Sequence, residues 1–381
     1  MRTQFDAIVA GAGIIGASIA YHLASSGLRV AVMDASGPAA AASGASDGAV
    51  SLCSKQPGAL SRLAAEAIEY CGELALENQP LFRVFQRRPS YYFSTSGVED
   101  DALDDLARRL KKMNGPVRVK SDVQGGKAPF ETGSDVHRIV EIDGEGHMLG
   151  FAATDAFLTA APIERLWPCR LMEFNATDTK VDVITDQGLF EATYLVLATG
   201  VSTNAYLPDL PLRRRSGQLI ITERRKGGAG LPGAMTSASY LLKKGGINDN
   251  LMSPPVVVDP LETGQLLIGS TREDGGSARQ TDFLRVKRIL TYACRYYPPL
   301  ALYRIIRVFA GVRAAVSDGL PIVGPVSGHR NVLAATGFEG DGICLAPLIG
   351  REVSALIRGG TVSNDVRSLS PQRFGASEAA S

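Results

Sequence analysis

The chain has 381 residues, with 40 lysines and arginines against 39 aspartates and glutamates and a formal net charge of +1. That length exceeds one simple core and suits two domains, and the near-neutral balance supplies no bulk field toward nucleic acid or an anionic membrane surface. The five cysteines, Cys53, Cys71, Cys169, Cys294 and Cys344, never form a CxxC pair, so no metal site and no iron–sulfur cluster held by this chain alone is expected, and the thiols read as reduced ones of a cytoplasmic protein.

From the N-terminus, FDAIVA is a short β-rich run, GAGIIG follows at once, ASIAYHLASSG has helical apolar spacing, and LRVAVMD is a second apolar run ending in Asp34. Strand, glycine turn, helix and strand within so few residues form a dinucleotide-binding pattern. Gly11 allows the tight turn, Gly13 lets the backbone approach a pyrophosphate, and Gly16 lets the helix pack on the sheet. Ile14 and Ile15 open the helix, whose unpaired N–H groups face the phosphates. Asp34 stands where it can accept hydrogen bonds from ribose hydroxyls; glycines used only for packing would leave that acid unexplained. His22 reads as a packing residue. The same run is too short to span a membrane and continues into polar sequence, so the chain reads as soluble, either cytoplasmic or peripheral to the inner face of a membrane.

The next segment, AAAASGASDGAVSL, has few side chains able to fill a core. It is either a linker or a strip lying flat against something bulky, and its place after the ribose acid favours the strip. SRLAAEAIEYCGELALEN has helical periodicity. Residues 80 to 144 turn more polar, with YYFSTS strand-like and DDALDDLARRLKKMN an amphipathic helix, as an insertion would. Residues 180 to 200 read as a hairpin and a buried strand that ends in Ala198-Thr199-Gly200 and returns to a parallel sheet. SGQLIITE, NLMSPPVVVDP and GQLLIGSTRED then suggest an antiparallel second domain. RNVLAATG is another buried strand ending in glycine, and GFEGDG leads into the helical ICLAPLIGREVSALIRGG, whose N-terminus suits negative charge.

GAGIIG with Asp34, LVLATG, GVRAAVSDGLPIVG and ATGFEGDGICLAPLIG, in this order, resemble the signatures of the D-amino-acid oxidase and glycine oxidase superfamily of FAD-dependent oxidoreductases. KQPGALSRLA and GFEGDGICLAPLIG are most similar to the flavin subunits of multi-subunit amino-acid dehydrogenases, among them hydroxyproline dehydrogenase, opine oxidase and hydrogen cyanide synthase. The resemblance implies an α/β fold: a Rossmann-like FAD-binding domain with a parallel sheet from residues 1–80, 145–212 and 306–372, and an α+β substrate domain with a mainly antiparallel sheet from 81–144 and 213–305. Residues 373–381 are expected to be a mobile tail.

FAD would be held by Gly11, Gly13, Ile14, Ile15, Gly16 and Asp34, by Ser43, Gly44 and Ser46 of the small-residue strip, by Gly200 and Gly311, and by Gly337, Gly340, Asp341, Gly342 and Ile343. Residues 303 to 318 lack a cysteine, so the cofactor would be noncovalent. By the resemblance Arg313 pairs with the substrate carboxylate, against readings in which it pairs with an internal acid or with Asp318. Arg307 competes for that role or is a strand-edge charge. Tyr240 would help bind the carboxylate or pack in the core, and Lys55 would approach the flavin or an electron acceptor, or be a solvated loop lysine. His137 lies before and His147 within the turn-rich IDGEGHMLG, and both are open to a catalytic role that the sequence does not favour. The implied reaction is C–N oxidation of an amino acid or secondary amine carboxylate, of opine, hydroxyproline or glycine type, by hydride transfer to flavin. The chain would be the catalytic subunit of a complex, with FMN or an iron–sulfur cluster on partner subunits or at their interfaces. The alternatives are a free-standing glycine or D-amino-acid oxidase producing hydrogen peroxide and a flavin-binding scaffold.

Overall fold

A computed structural model of the protein describes residues 3–124, 128–226, 230–244, 254–278 and 280–375. Its first sheet has eight strands, six of them in the order Leu171–Ala176, Val181–Thr185, Gly188–Leu197, Thr3–Ala10, Val30–Met33, Ile163–Leu166. Gly188–Leu197 pairs antiparallel with the hairpin strand Val181–Thr185 through its first half and parallel with His329–Thr336 through its second. The strands Thr3–Ala10, Val30–Met33 and Ile163–Leu166 are parallel to it and to one another. Residues Ala7 to Ala10 and Val30 to Met33 are all buried, which is why these segments read as unbroken apolar runs: both faces of a parallel sheet are covered.

One face carries the helices Ile14–Ser25, Gly150–Thr159 and Gly342–Ile357. Ile14–Ser25 packs directly on Gly342–Ile357, where a side chain at Gly350 would overlap Ser18. Two distant glycine-led helices are therefore adjacent, and both begin beside the carboxyl ends of the parallel strands. The other face forms a second core from Phe5, Ile8, Leu195, Leu197 and Val332.

The second sheet has nine strands. Eight run in the order Glu273–Asp274, Leu212–Thr222, Leu266–Gly269, Val257–Pro260, Ala234–Ser237, Ser90–Ser94, Arg138–Asp143, Arg118–Gln124, and Ile305–Val316 pairs with Leu212–Thr222. All pairings between these strands are antiparallel except Ala234–Ser237 with Ser90–Ser94. The helix Phe283–Tyr296 covers one face through Val286, Ile289, Ala293 and Tyr296. The helix Gly97–Met113 buries Leu103, Leu106 and Leu110, with Glu99 and Asp100 in its first turn and Lys111 and Lys112 in its last, the charge order its dipole favours.

Two sequence expectations change. The sequence reading puts residues from 306 onward in the nucleotide domain, yet the strand Ile305–Val316 pairs with Leu212–Thr222 from Thr222↔Ile305 to Leu212↔Val316. It is one half of a long antiparallel ribbon, and only Ala314, Val316 and Leu212 at its far end join the core of the first sheet. The tail expected to be mobile from 373 is anchored at its start: Arg373 pairs with Asp318 at 2.8 Å and donates to the carbonyls of Leu369 and Leu320. The remainder, 376–381, and part of NLMSPPVVVDP, 250–253, lie outside the described residues.

Candidate active site

The turn after the first strand is fixed by close contacts that only glycine permits. Gly11 has φ +109°, its N–H donates to the Met33 carbonyl at 2.7 Å, and a Cβ there would overlap the Ala198 carbonyl. Gly16 is equally confined, since a Cβ would overlap the carbonyl of Gly11. Asp34, just beyond the second strand, accepts N–H bonds from Ala12 at 2.9 Å, Ser36 at 2.8 Å and Gly37 at 2.9 Å. A carboxylate has about four acceptor sites, so one more remains for a ribose hydroxyl.

At the helix start Ile14 N–H donates to Ser43 Oγ at 3.0 Å, which brings the small-residue strip over the turn. The strip then crosses to the second sheet, where a Cβ on Gly311 would lie 2.8 Å from the Cβ of Ala45. It is not a linker. Its far end is held by the buried Glu145, whose Oε1 accepts Ser51 Oγ at 2.7 Å and the N–H groups of Leu52 and Cys53 at 2.7 and 2.9 Å.

Between these elements runs one cavity of about 430 Å³, which reaches from Asp34 and Arg170 past the strand ends to Arg313 and Tyr240. Gly11, Gly13, Ile14, Ile15, Asp34, Ser43, Ser46, Gly200, Gly311, Gly337, Gly340, Gly342 and Ile343 all line it. The walls are backbone and small side chains, an acid stands at one end, and helix N-termini open onto it. This set fits an extended dinucleotide. Gly16, Gly44 and Asp341 are not on the lining. Gly44 is packed against the Ala39 carbonyl, and Asp341 turns away from the cavity into a buried ion cluster.

In that cluster Asp341 Oδ1 is 3.0 Å from Lys55 Nζ and 2.7 Å from Lys244 Nζ. Burial pushes the Asp341 carboxyl up, but the two ammonium charges outweigh it and hold it at about 2. Burial likewise opposes the charge on Lys55, and Asp341 more than restores it, holding the ammonium above its usual range. Lys55 is 3% exposed, so it is not a solvated loop lysine. Two cations on one carboxylate leave a surplus positive charge at the start of the helix Gly342–Ile357.

Arg313 lines the other end of the cavity with Tyr240, which sits on the short helix Ala238–Lys244. Its guanidinium lies over Gly217, where any Cβ would overlap Nη2. The internal-acid pairing exists, with Glu339: Arg313 Nη1 and Arg272 Nε each stand 3.3 Å from Glu339 Oε1. Burial pushes the Glu339 carboxyl up, and Arg313, Arg272 and Lys244 overcome this and hold it below its usual range. Asp318 is taken by Arg373. Arg307 is exposed, with its guanidinium 5.9 Å from the Phe309 ring, as a strand-edge charge would be. His147 is buried away from the cavity with Nε2 2.9 Å from the Asp47 carbonyl, and His137 is exposed. Cys169 lines the cavity beside Asp34, its N–H donating to the Asp34 carbonyl at 2.8 Å, and burial raises its thiol, so it is no ready nucleophile.

Gly217, Arg272 and Glu339 are the residues sequence reasoning missed. Gly217 carried a signal, since glycine inside a strand marks a close approach; Glu339 lay inside GFEGDG without an assigned role.

A family model described as FAD dependent oxidoreductase, the DAO family, matches residues 6–356. Among curated proteins, hydrogen cyanide synthase subunit HcnC of Pseudomonas aeruginosa is 24% identical over 98% of this chain and 97% of its own length. Glycine oxidase of Bacillus licheniformis is 25% identical over 96% of each chain. The crystal structure of glycine oxidase from Geobacillus kaustophilus superposes with a TM-score of 0.86 at 22% identity, covering 97% of this chain and 99% of that one. With the nucleotide cradle, the second sheet and the matched span all in agreement, the chain belongs to the DAO family of FAD-dependent oxidoreductases.

Proposed function

We propose that the protein oxidises the C–N bond of an amino acid or secondary amine carboxylate, as the catalytic subunit of a hetero-oligomeric dehydrogenase. One observation carries this reading: Arg313 opens onto the same cavity as the dinucleotide cradle, so Asp34 and Gly11 would hold one end of an FAD and a carboxylate on Arg313 would meet the other. The cavity lining would hold FAD noncovalently, and its chemistry when bound would be to accept the hydride of the substrate C–H beside the amine. The protein's own residues position and enclose. Arg313 offers a planar fork of donors to the carboxylate, Tyr240 offers a hydroxyl, and the walls of Gly217, Leu219 and Gly311 exclude water and limit the poses of the Cα–H bond. The helix start at Gly342 and the surplus lysine charge beside it favour negative charge at that end of the cavity. An amine that binds deprotonated needs no side-chain base. The imine formed then takes up water in solution and splits into the carbonyl product and ammonia, or a primary amine where the substrate is a secondary one.

The subunit role rests on likeness to HcnC, a protein named as a subunit, and on the exposed Leu302, Ile305 and Ile306 at and just before the start of the strand Ile305–Val316. FMN or an iron–sulfur cluster on partners would then accept the electrons. Likeness to glycine oxidase over nearly the full chain favours a second reading, a free-standing oxidase that makes hydrogen peroxide. Among the described residues no helix is long and apolar enough to cross a membrane. Steady-state turnover of glycine, sarcosine, D-amino acids, hydroxyproline epimers, octopine and nopaline, with oxygen and with an artificial acceptor, separates the readings. The subunit reading expects turnover with the artificial acceptor and little peroxide; equal rates with oxygen support the oxidase; no turnover with either contradicts both.

A further inference from the structure

The seat around Glu339 holds more positive charge than one substrate carboxylate calls for. Arg313 and Arg272 both lean on a single oxygen, Glu339 Oε1, at 3.3 Å. No other acceptor within hydrogen-bond reach is found for either guanidinium among the described residues, although each has five N–H donors in a fork made for carboxylates. Their side chains are 22% and 31% exposed, against 14% for Glu339. Both arginines therefore keep open donors, and Glu339 stands between them.

Glu339 is anchored beside both arginines through its main chain. Its backbone has φ +47° and its N–H donates to the Ala314 carbonyl at 2.8 Å, which ties it to the strand that carries Arg313. A single incoming carboxylate gripped by both arginines would have to displace it. Two carboxylates, one on the open donors of each guanidinium, would not. Asp274 also feels Arg272 but is paired with Arg215 at 2.7 Å, so Arg313, Arg272, Lys244, Lys55 and Arg215 face Glu339, Asp341 and Asp274, a surplus of two positive charges.

We propose that Arg272 is a second anion-binding residue of the substrate site, and that the substrate is an amine flanked by two carboxylates, one on Arg313 and the other on Arg272. Arg272 follows Ser270, which lines the cavity, by two residues. Its Nε also stands 3.3 Å from Glu339, a residue of the lining, so the proposal puts the second acidic arm of a substrate on this side of the cavity. This inference rests on the proposed C–N oxidation, and it narrows the substrate class for that same site.

The test compares ligands that differ only by the second carboxylate, using the FAD-loaded protein. Sarcosine against iminodiacetate reports on oxidation, through anaerobic loss of flavin absorbance. Methylthioacetate against thiodiacetate, in which sulfur replaces the amine, reports on binding alone, through perturbation of the flavin spectrum. The second carboxylate is expected to tighten binding about tenfold or more, and Arg272→Gln to bring that ratio to within about twofold of one, with Arg272→Lys keeping part of it. A purely structural Arg272 would weaken both ligands together and leave the ratio in place. No preference in the unaltered protein, or a preference that survives Arg272→Gln, overturns the inference. Should the Gln variant not fold, the wild-type ratios and the Lys variant decide. Preference in binding without flavin reduction by either amine would contradict the oxidation and keep the two-carboxylate seat; reduction by sarcosine with no preference would do the reverse.

Discussion

Lys55 Nζ lies 3.0 Å from Asp341 Oδ1, with both side chains withdrawn from solvent and Lys244 on the same oxygen at 2.7 Å. The contact joins the loop after the small-residue strip to the start of the helix Gly342–Ile357, so two walls of the cavity are locked by charge. Asp341 is held at about 2 against an ordinary 3.8. A carboxyl depressed in the folded state stabilises above its unfolded value, and that stability is lost as pH falls from about 4 toward 2. The loss is on the order of 2 kcal/mol. Urea unfolding between pH 6 and 2.5 checks it, with Asp341→Asn flattening this part of the profile. At neutral pH the same variant leaves two buried ammonium groups without a counter-charge and should be less stable by about 3–5 kcal/mol.

Arg313→Ala removes the donor fork that faces the cavity. KM for carboxylate substrates should rise by the equivalent of about 2–4 kcal/mol, as for a lost charge-assisted pair. FAD content should stay near that of the unaltered protein. An unchanged KM in steady-state assays would remove Arg313 from the substrate site.

Gly217→Ala tests the same seat from behind. The added methyl would overlap Arg313 Nη2 and stand 2.8 Å from the Thr271 carbonyl, and backbone cannot yield as a flexible side chain can. The guanidinium must shift, and kcat/KM should fall about tenfold or more. Gly217→Ala combined with Arg313→Ala should add little to the Arg313 variant alone, because the two act through one group.

Gly11→Val places a β-branched residue at φ +109° and drives its Cβ into the Ala198 carbonyl. The strain is on the order of 1–3 kcal/mol, and it falls on the turn that meets the pyrophosphate. The purified variant should have lost most of its FAD absorbance. Asp34→Ala should also lower FAD content, because the carboxylate both orders the turn through Ala12, Ser36 and Gly37 and faces the ribose.

The nucleotide half was legible because its information is local: strand, Gly11, helix and Asp34 follow one another within one short stretch, and the spacing alone sets the geometry. The substrate half is assembled by register. Gly217 meets Gly311, and Arg215 meets Arg313, only because Leu212–Thr222 pairs with Ile305–Val316, and Arg272 reaches Glu339 through the neighbouring strand edge. The sequence points Asp341 at the cofactor because a glycine-rich loop shows where its backbone runs and not which way a side chain turns. The partners that draw it inward, Lys55 and Lys244, are far away in sequence. Lys55 looked like a loop lysine for the same reason.

The most direct measurement is the absorbance of the bound flavin, followed anaerobically while amine carboxylates are added one at a time to the purified protein. Bleaching at one equivalent of a reactive substrate, absent or greatly weakened in the Arg313→Ala protein with FAD still bound, is the expected result. A fully loaded flavin that no amine carboxylate bleaches, although dithionite reduces it, would contradict C–N oxidation by this chain.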